Sequence, residues 1–127
     1  MRAVDSAEAA VRGVDIAATT TDASQPVYRE EWLEDGLFLV DVRSIEVEDA
    51  AAESADRVLG TAREGYMNRV IGTDDDAERY MSNRGVSGFE DHDYPTLDEV
   101  LAGDAPGRQS DSETIYYHNR SAGIQFA

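Results

Sequence analysis

Thr96–Ala127, TLDEVLAGDAPGRQSDSETIYYHNRSAGIQFA, is the stretch whose reading organises the rest of the chain. Thr96 can cap a short helix, with Asp98 and Glu99 in its first turn where acids suit the helix dipole. Leu97, Val100 and Leu101 make one apolar stripe, and Gly103 closes it. Pro106-Gly107 then forces a turn and leaves Arg108 on a rigid polar corner. Glu113–Tyr117 has the β-branched and aromatic content of a strand. The small residues of Ser121–Ala127 can start another helix.

Working upstream, the same alternation recurs. Ser6 caps an alanine-rich helix, Ala7–Arg12, that Gly13 ends. Asp15–Thr20 is an apolar and β-branched run suited to a buried parallel strand. Thr21–Gln25 is polar, and Pro26 closes it. Arg29–Leu33 reads as a helical turn carrying Trp32. Leu37–Val42 is apolar almost throughout and reads as a strand. Val47–Ala55 reads as a helix with acids outward and alanines inward. A third strand is expected at Arg57–Leu59, then a helix from Thr61 to about Ile71. Through Gly72–Tyr94 the pattern fades, and Gly85, Gly88 and Pro95 mark loops. Strands separated by helical segments predict a parallel α/β layer. Ligands in such layers sit at the carboxyl ends of the strands. Thr19-Thr20-Thr21 and Val42-Arg43-Ser44 are two such ends.

Composition sets outer limits. A chain of 127 residues, 41% hydrophobic, supports one modest domain with a real core. No apolar run is long enough to span a bilayer, and neither a signal peptide nor a membrane partner is expected, so the expected location is cytoplasmic. With no Cys, disulfides and thiol catalysis are excluded. The charge is lopsided: 27 acids against 11 bases, a net −16, and every base is Arg. Scattered acid without Lys suits a halophilic surface, where molar salt screens repulsion within a few ångström. A nucleic-acid mimic or a cation-binding surface would also be acidic. Nucleic-acid binding itself is disfavoured, because no basic stripe exists to neutralise phosphates.

The order of elements in Thr96–Ala127 resembles the ornithine cyclodeaminase/μ-crystallin family. Its members run a Leu-x-x-Val-Leu-x-Gly helix into Pro-Gly-Arg, then Ser-x-x-Glu and an aromatic strand. Gly123-Ile124-Gln125-Phe126-Ala127 is similar to the ending of one branch. Upstream, AVRGVDIAATTTDASQPVY resembles the family's Thr-rich strand end and Pro-Val, and EDGLFLVDV its next strand. The resemblance covers nearly the whole chain, clearest at 8–44 and 96–127.

It implies an NAD(P)-dependent protein acting on an amino or imino acid. A dinucleotide site needs closely spaced glycines at its first strand-to-helix turn, so that backbone N–H groups approach the pyrophosphate. None of the ten glycines here forms a G-x-G. The resemblance therefore implies a C-terminal half: a partial Rossmann-like parallel sheet with flanking helices, lacking the first βαβ nucleotide-binding unit. Residues 96–127 would begin the returning C-terminal segment. The family's N-terminal substrate-binding and dimerising region, with its catalytic Lys and Arg, would lie upstream, and Val4-Asp5 would end the second strand. NAD or NADP would belong to the intact parent, with none bound by this chain alone. Its partners would be an amino-acid-like small molecule, and a homodimer mate or a complementing N-terminal half.

By the same resemblance Thr20, Thr21, Val42, Arg43, Ser44 and Asn119 would line the cofactor. Hydroxyl β-branched residues also simply suit strand ends. The acid that cyclodeaminases place after the second of these strand ends falls on Ile45, with Asp41 and Glu46 as nearby substitutes, which weakens the case for ornithine deamination. His118 could transfer protons near the nicotinamide, or pack beside Tyr116 and Tyr117. Arg43 could bind a carboxylate or phosphate, or be solvated. Arg108 suits a structural pairing with acids of a neighbouring segment. His92, between Asp91 and Asp93, lacks converging ligands, and no metal site is expected. Two rival readings are a non-catalytic interaction module or subunit completed by a partner, and an unrelated acidic α/β binding domain.

The charge balance predicts that the chain loses structure as salt is withdrawn. Far-ultraviolet circular dichroism should fall between molar and millimolar salt; a spectrum unchanged at low salt would contradict the halophilic reading.

Overall fold

The computed structural model describes residues 3–21, 23, 25–42, 46–61 and 94–119. Beyond Thr61 the helix expected to about Ile71, the stretch expected as loops from Gly72 up to Tyr94, and the closing segment from Ser121 lie outside the described residues. What is described is a parallel α/β layer. Helix α1 (Ala7–Val11) leads to β1 (Ile16–Thr19), and a 3-10 turn at Glu30–Trp32 precedes β2 (Phe38–Asp41). Helix α2 (Asp49–Glu53), β3 (Arg57–Gly60), α3 (Leu97–Ala102) and β4 (Ile115–His118) follow. The sheet order is β1-β2-β4-β3, and all three pairings are parallel. No helix is long and apolar enough to cross a membrane among the described residues.

Local chemistry accounts for the differences in extent. Val47 is taken into a parallel bridge with Tyr28, so α2 begins only after Glu48. Glu113 and Thr114 are drawn off into side-chain contacts, so β4 begins two residues later than the strand expected there. Val4 and Asp5, expected at a strand end, lie in no strand; Ser6 instead caps α1 by accepting from the Ala9 N–H at 3.1 Å. Leu101 departs from its expected stripe and is 79% exposed. Helix α3 is held at its front by the Thr96–Gly60 bridge and by Val100 packing on Gly107, which leaves Leu101 outward.

One face of the sheet carries the core. In register, Ala17, Leu39, Tyr116 and Val58 lie side by side, and they pack on Tyr28, Trp32, Val47, Ala51 and Ala52. The alanines of α2 let that helix come close, which is why its inward positions carry no larger side chain. Tyr28 meets Trp32 edge to face at 5.8 Å, and burial pushes its hydroxyl pKa up to about 12. The opposite face is covered only in part: Leu59 and Ile115 are buried, whereas Ile16 on β1 is 66% exposed.

The amino ends of the strands are locked by a polar latch. Arg57 Nη2 meets Glu113 Oε1 at 2.6 Å, and Arg108 Nη1 donates to the carbonyls of Gly36 at 3.0 Å and Glu113 at 2.6 Å. Arg108 is thus structural, but it binds backbone carbonyls rather than the acids expected. Gly36 needs its freedom here, because its φ of 79° is left-handed and a β-carbon would collide with the Asp111 carbonyl. Asp56 accepts from the N–H and the hydroxyl of Thr114, both at 2.8 Å.

These bonds hold two carboxyl groups below their ordinary pKa. The Gln109 N–H, then the Arg57 guanidinium, lower Glu113 from 4.5, and the Thr114 N–H and hydroxyl lower Asp56 from 3.8. A depressed folded-state pKa stabilises the fold above the ordinary value and loses that contribution as the pH falls below it. Glu113→Gln should therefore lower Tm near neutral pH, with the gap to wild type closing toward about pH 3. Thermal melts across pH in molar salt check this.

Candidate functional site

The register that builds the core also aligns the strand ends. Thr19, Asp41, His118 and Gly60 stand in one row across the carboxyl edge of the sheet. All four are buried. Just past that row come the exits: Thr20 and Thr21 after β1, Val42 after β2, Asn119 after β4 and Thr61 after β3. Thr20 and Thr21 are exposed, while Val42, Thr61 and Asn119 are half-buried. The edge therefore has a buried floor and a polar rim.

Hydrogen bonds tie the floor across strands. The Tyr116 hydroxyl donates to Asp41 Oδ2 at 3.2 Å, and the Glu46 N–H donates to the same oxygen at 3.2 Å. Thr19 Oγ1 lies 3.4 Å from Asp41 Oδ1. Glu46 takes the Thr21 hydroxyl at 2.6 Å and the Thr21 N–H at 3.1 Å. Asp41 and Glu46 are each 0% exposed. A buried carboxylate is costly unless donors surround it, and here hydroxyls and backbone N–H groups do so.

His118, 3% exposed, sits within an aromatic group. Tyr94 meets it edge on at 5.0 Å, and Tyr116 lies nearly parallel to it at 6.1 Å. Gly60 makes room for this arrangement, since a β-carbon there would strike the Tyr94 ring. On the rim, Thr61 Oγ1 donates to Asn119 Oδ1 at 2.9 Å and lies 3.2 Å from the Tyr117 hydroxyl. The Asn119 N–H continues the ladder to the Asp41 carbonyl at 2.8 Å.

Of the residues singled out from sequence, Thr20, Thr21, Val42 and Asn119 come together on this rim. Asp41 and His118 lie in the floor row, and Glu46 beneath the β1 exit. Arg43, Ser44, Ile45, His92 and Ser121 lie outside the described residues. Arg108 is at the opposite, amino-terminal edge. Sequence reasoning passed over Gly60-Thr61, although the strand-end rule applied to Arg57–Leu59 would have flagged both. Tyr94 carried no such signal, because only the fold brings it to His118. Among the described residues no three His, Cys, Asp or Glu side chains converge on a metal position.

The sequence pattern of the Ornithine cyclodeaminase/mu-crystallin family matches residues 1–125. The chain belongs to the ornithine cyclodeaminase/μ-crystallin family. Within it, the chain is 28% identical to the alanine dehydrogenase of Archaeoglobus fulgidus over 131 aligned positions, covering 96% of this chain and 37% of that protein. Among solved structures, an archaeal alanine dehydrogenase dimer with bound NAD is similar at a TM-score of 0.62 and 26% identity. That match covers 93% of this chain and 36% of the other. Thermococcus litoralis Δ1-pyrroline-2-carboxylate reductase, solved with NADH and L-proline, shares the fold at a TM-score of 0.65 and 22% identity. It is matched over 92% of this chain and 36% of its own. The chain thus spans little more than a third of the length of these relatives.

The packing of this ornithine cyclodeaminase-family chain around His118 can be tested at Gly60. Gly60→Ala should push the Tyr94 ring aside at a cost of about 1–3 kcal/mol. In NMR the His118 ring protons should lose the part of their aromatic shift that Tyr94 supplies, while the Tyr116–Asp41 contact stays; His118 shifts unchanged from wild type would refute the packing.

Proposed function

We propose that this chain forms the cofactor-side wall of an NAD(P)-dependent protein acting on an amino or imino acid, and that it is inactive alone. The observation that supports this best is the alignment of the four strand ends at one edge, in a chain of this family. In such a protein the nicotinamide cofactor, when bound, supplies the hydride chemistry, and the protein supplies position and electrostatics.

The residues present fit part of that group. Thr20 offers an exposed hydroxyl with no partner among the described residues, and Asn119 a side-chain amide, both at heights where hydrogen bonds could orient a planar ring or a ribose. Val42 gives the rim an apolar contact between them. Arg43 and Ser44 follow Val42 in the sequence and remain candidates for the same contacts. His118 and Asp41 would act from the floor, shaping the rim and excluding water beneath it. What the β1 exit does not offer is a pyrophosphate cradle: it reads Thr-Thr-Thr where a backbone nest needs glycine.

The pyrophosphate contacts therefore fall to another segment, in the same parent protein or in a partner chain. A specific observation favours completion from outside. Among the described residues β1 pairs on one side only, with β2, and its Ile16 is largely exposed. A parallel sheet is ordinarily covered on both faces, so this margin suits a further strand and its helix. The same margin would serve a non-catalytic interaction module, with the partner seated on β1.

Titrating NADH fluorescence against the 127-residue chain in molar salt separates these roles. The expected outcome is no saturable binding, because no cradle holds the pyrophosphate. Saturation in the micromolar range would show that this chain suffices and would end the missing-wall account.

A further inference from the structure

Glu46 sits where three segments meet, and every polar group it has is engaged. Its N–H donates to Asp41 Oδ2 at 3.2 Å, on the exit of β2. Its carbonyl accepts the N–H groups of Val27 at 2.7 Å and Tyr28 at 2.9 Å. Its carboxylate accepts the hydroxyl and the N–H of Thr21, at 2.6 and 3.1 Å. The Thr21 oxygen in turn accepts the Ala23 N–H at 3.2 Å.

We infer that Glu46 is the positioning residue of the β1 exit, and that it divides the labour of the two threonines there. Both donors of Thr21 are committed to a fully buried carboxylate, so Thr21 has no proton to offer a ligand, although it is exposed. It is scaffold. Thr20, one residue earlier, is exposed and has a hydroxyl without a partner among the described residues. With one oxygen for the hydroxyl and the other for the N–H, the side chain fixes Thr21 at two points at once. Glu46 acts through Thr21 and touches no ligand. The role of Thr20 rests on the cofactor reading; the clamp does not.

Amide hydrogen exchange on the full chain, followed by NMR in molar salt without nucleotide, tests the clamp. In wild type the Thr21 amide should be protected despite its exposed side chain. Glu46→Ala should lower that protection roughly tenfold or more while the Leu39 and Tyr116 amides keep theirs. Glu46→Gln keeps one of the two accepting oxygens and puts an NH2 donor in place of the other, so it should restore only part of that protection, and the Thr21 amide proton should shift as its acceptor changes. A freely exchanging Thr21 amide in wild type overturns the inference, as does unchanged protection in Glu46→Ala. Should that variant fail to fold, an unmoved Thr21 amide shift in Glu46→Gln overturns it equally. Because no nucleotide is present, the clamp and the cofactor reading stand or fall separately.

Discussion

The insertion of β4 between β2 and β3 is the constraint on which the rest of this structure depends. Without it, β2 and β3 have no common neighbour, and the carboxyl edge has no row. Parallel pairing makes the insertion informative, since strands that run together bring all their exits to one edge. Phe38 faces Ile115 and Asp41 faces His118, so residues distant in sequence are fixed at neighbouring heights. A slip of one residue would turn Tyr116 and His118 to the opposite face and expose the core. The latch of Arg57, Arg108, Glu113 and Thr114 guards against that slip, because it pins the residues just before β4 to β3 and to Gly36.

At the other end of the same strands the chemistry changes sign. An acidic chain ordinarily keeps its carboxylates in water, yet Asp41 and Glu46 are wholly enclosed at the strand exits. Their enclosure is tolerable because each is met by donors: Tyr116 and the Glu46 N–H for one, Thr21 twice over for the other. Hydrophobic side chains of similar size would pack there more cheaply, but they could not hold a polar loop at a fixed height. The buried acids are thus explained by the shape of the rim rather than by stability.

Much of this was legible in the chain itself. Apolar runs next to Gly13, Gly36 and Gly60 located β1, β2 and β3, and β-branched and aromatic content located β4, so the described strands were each legible locally. The alanine spacing located α2. The strand-end rule located Thr20, Thr21 and Val42, since exits of parallel strands converge whatever the sheet order. What could not be read was the order itself. Nothing local in Ile115–His118 says that it lies between β2 and β3, so Tyr94, Gly60 and His118 could not be seen as one cluster. Glu46 was noticed as an acid near a strand end, but its partner Thr21 lies on another strand's exit, and only tertiary structure joins them. Arg108 was legible as structural from Pro-Gly alone, though not in its choice of backbone carbonyls.

Strand β1 tests how far a sheet can be judged complete from its own residues. Ala17 and Thr19 are buried on the covered face, while Ile16 and Ala18 lie exposed on the other. The strand carries no Lys, Pro or bulge of the kind that blunts a free edge, and its sequence IAAT is apolar and β-branched. A solvent-facing margin would be expected to alternate with polar residues, as antiparallel edges do. This one has the composition of a strand with neighbours on both sides. The exposed Ile16 and Ala18 make β1 the least covered of the described strands, while at its exit the bonds from Thr21 to Glu46 hold the chain at a fixed height.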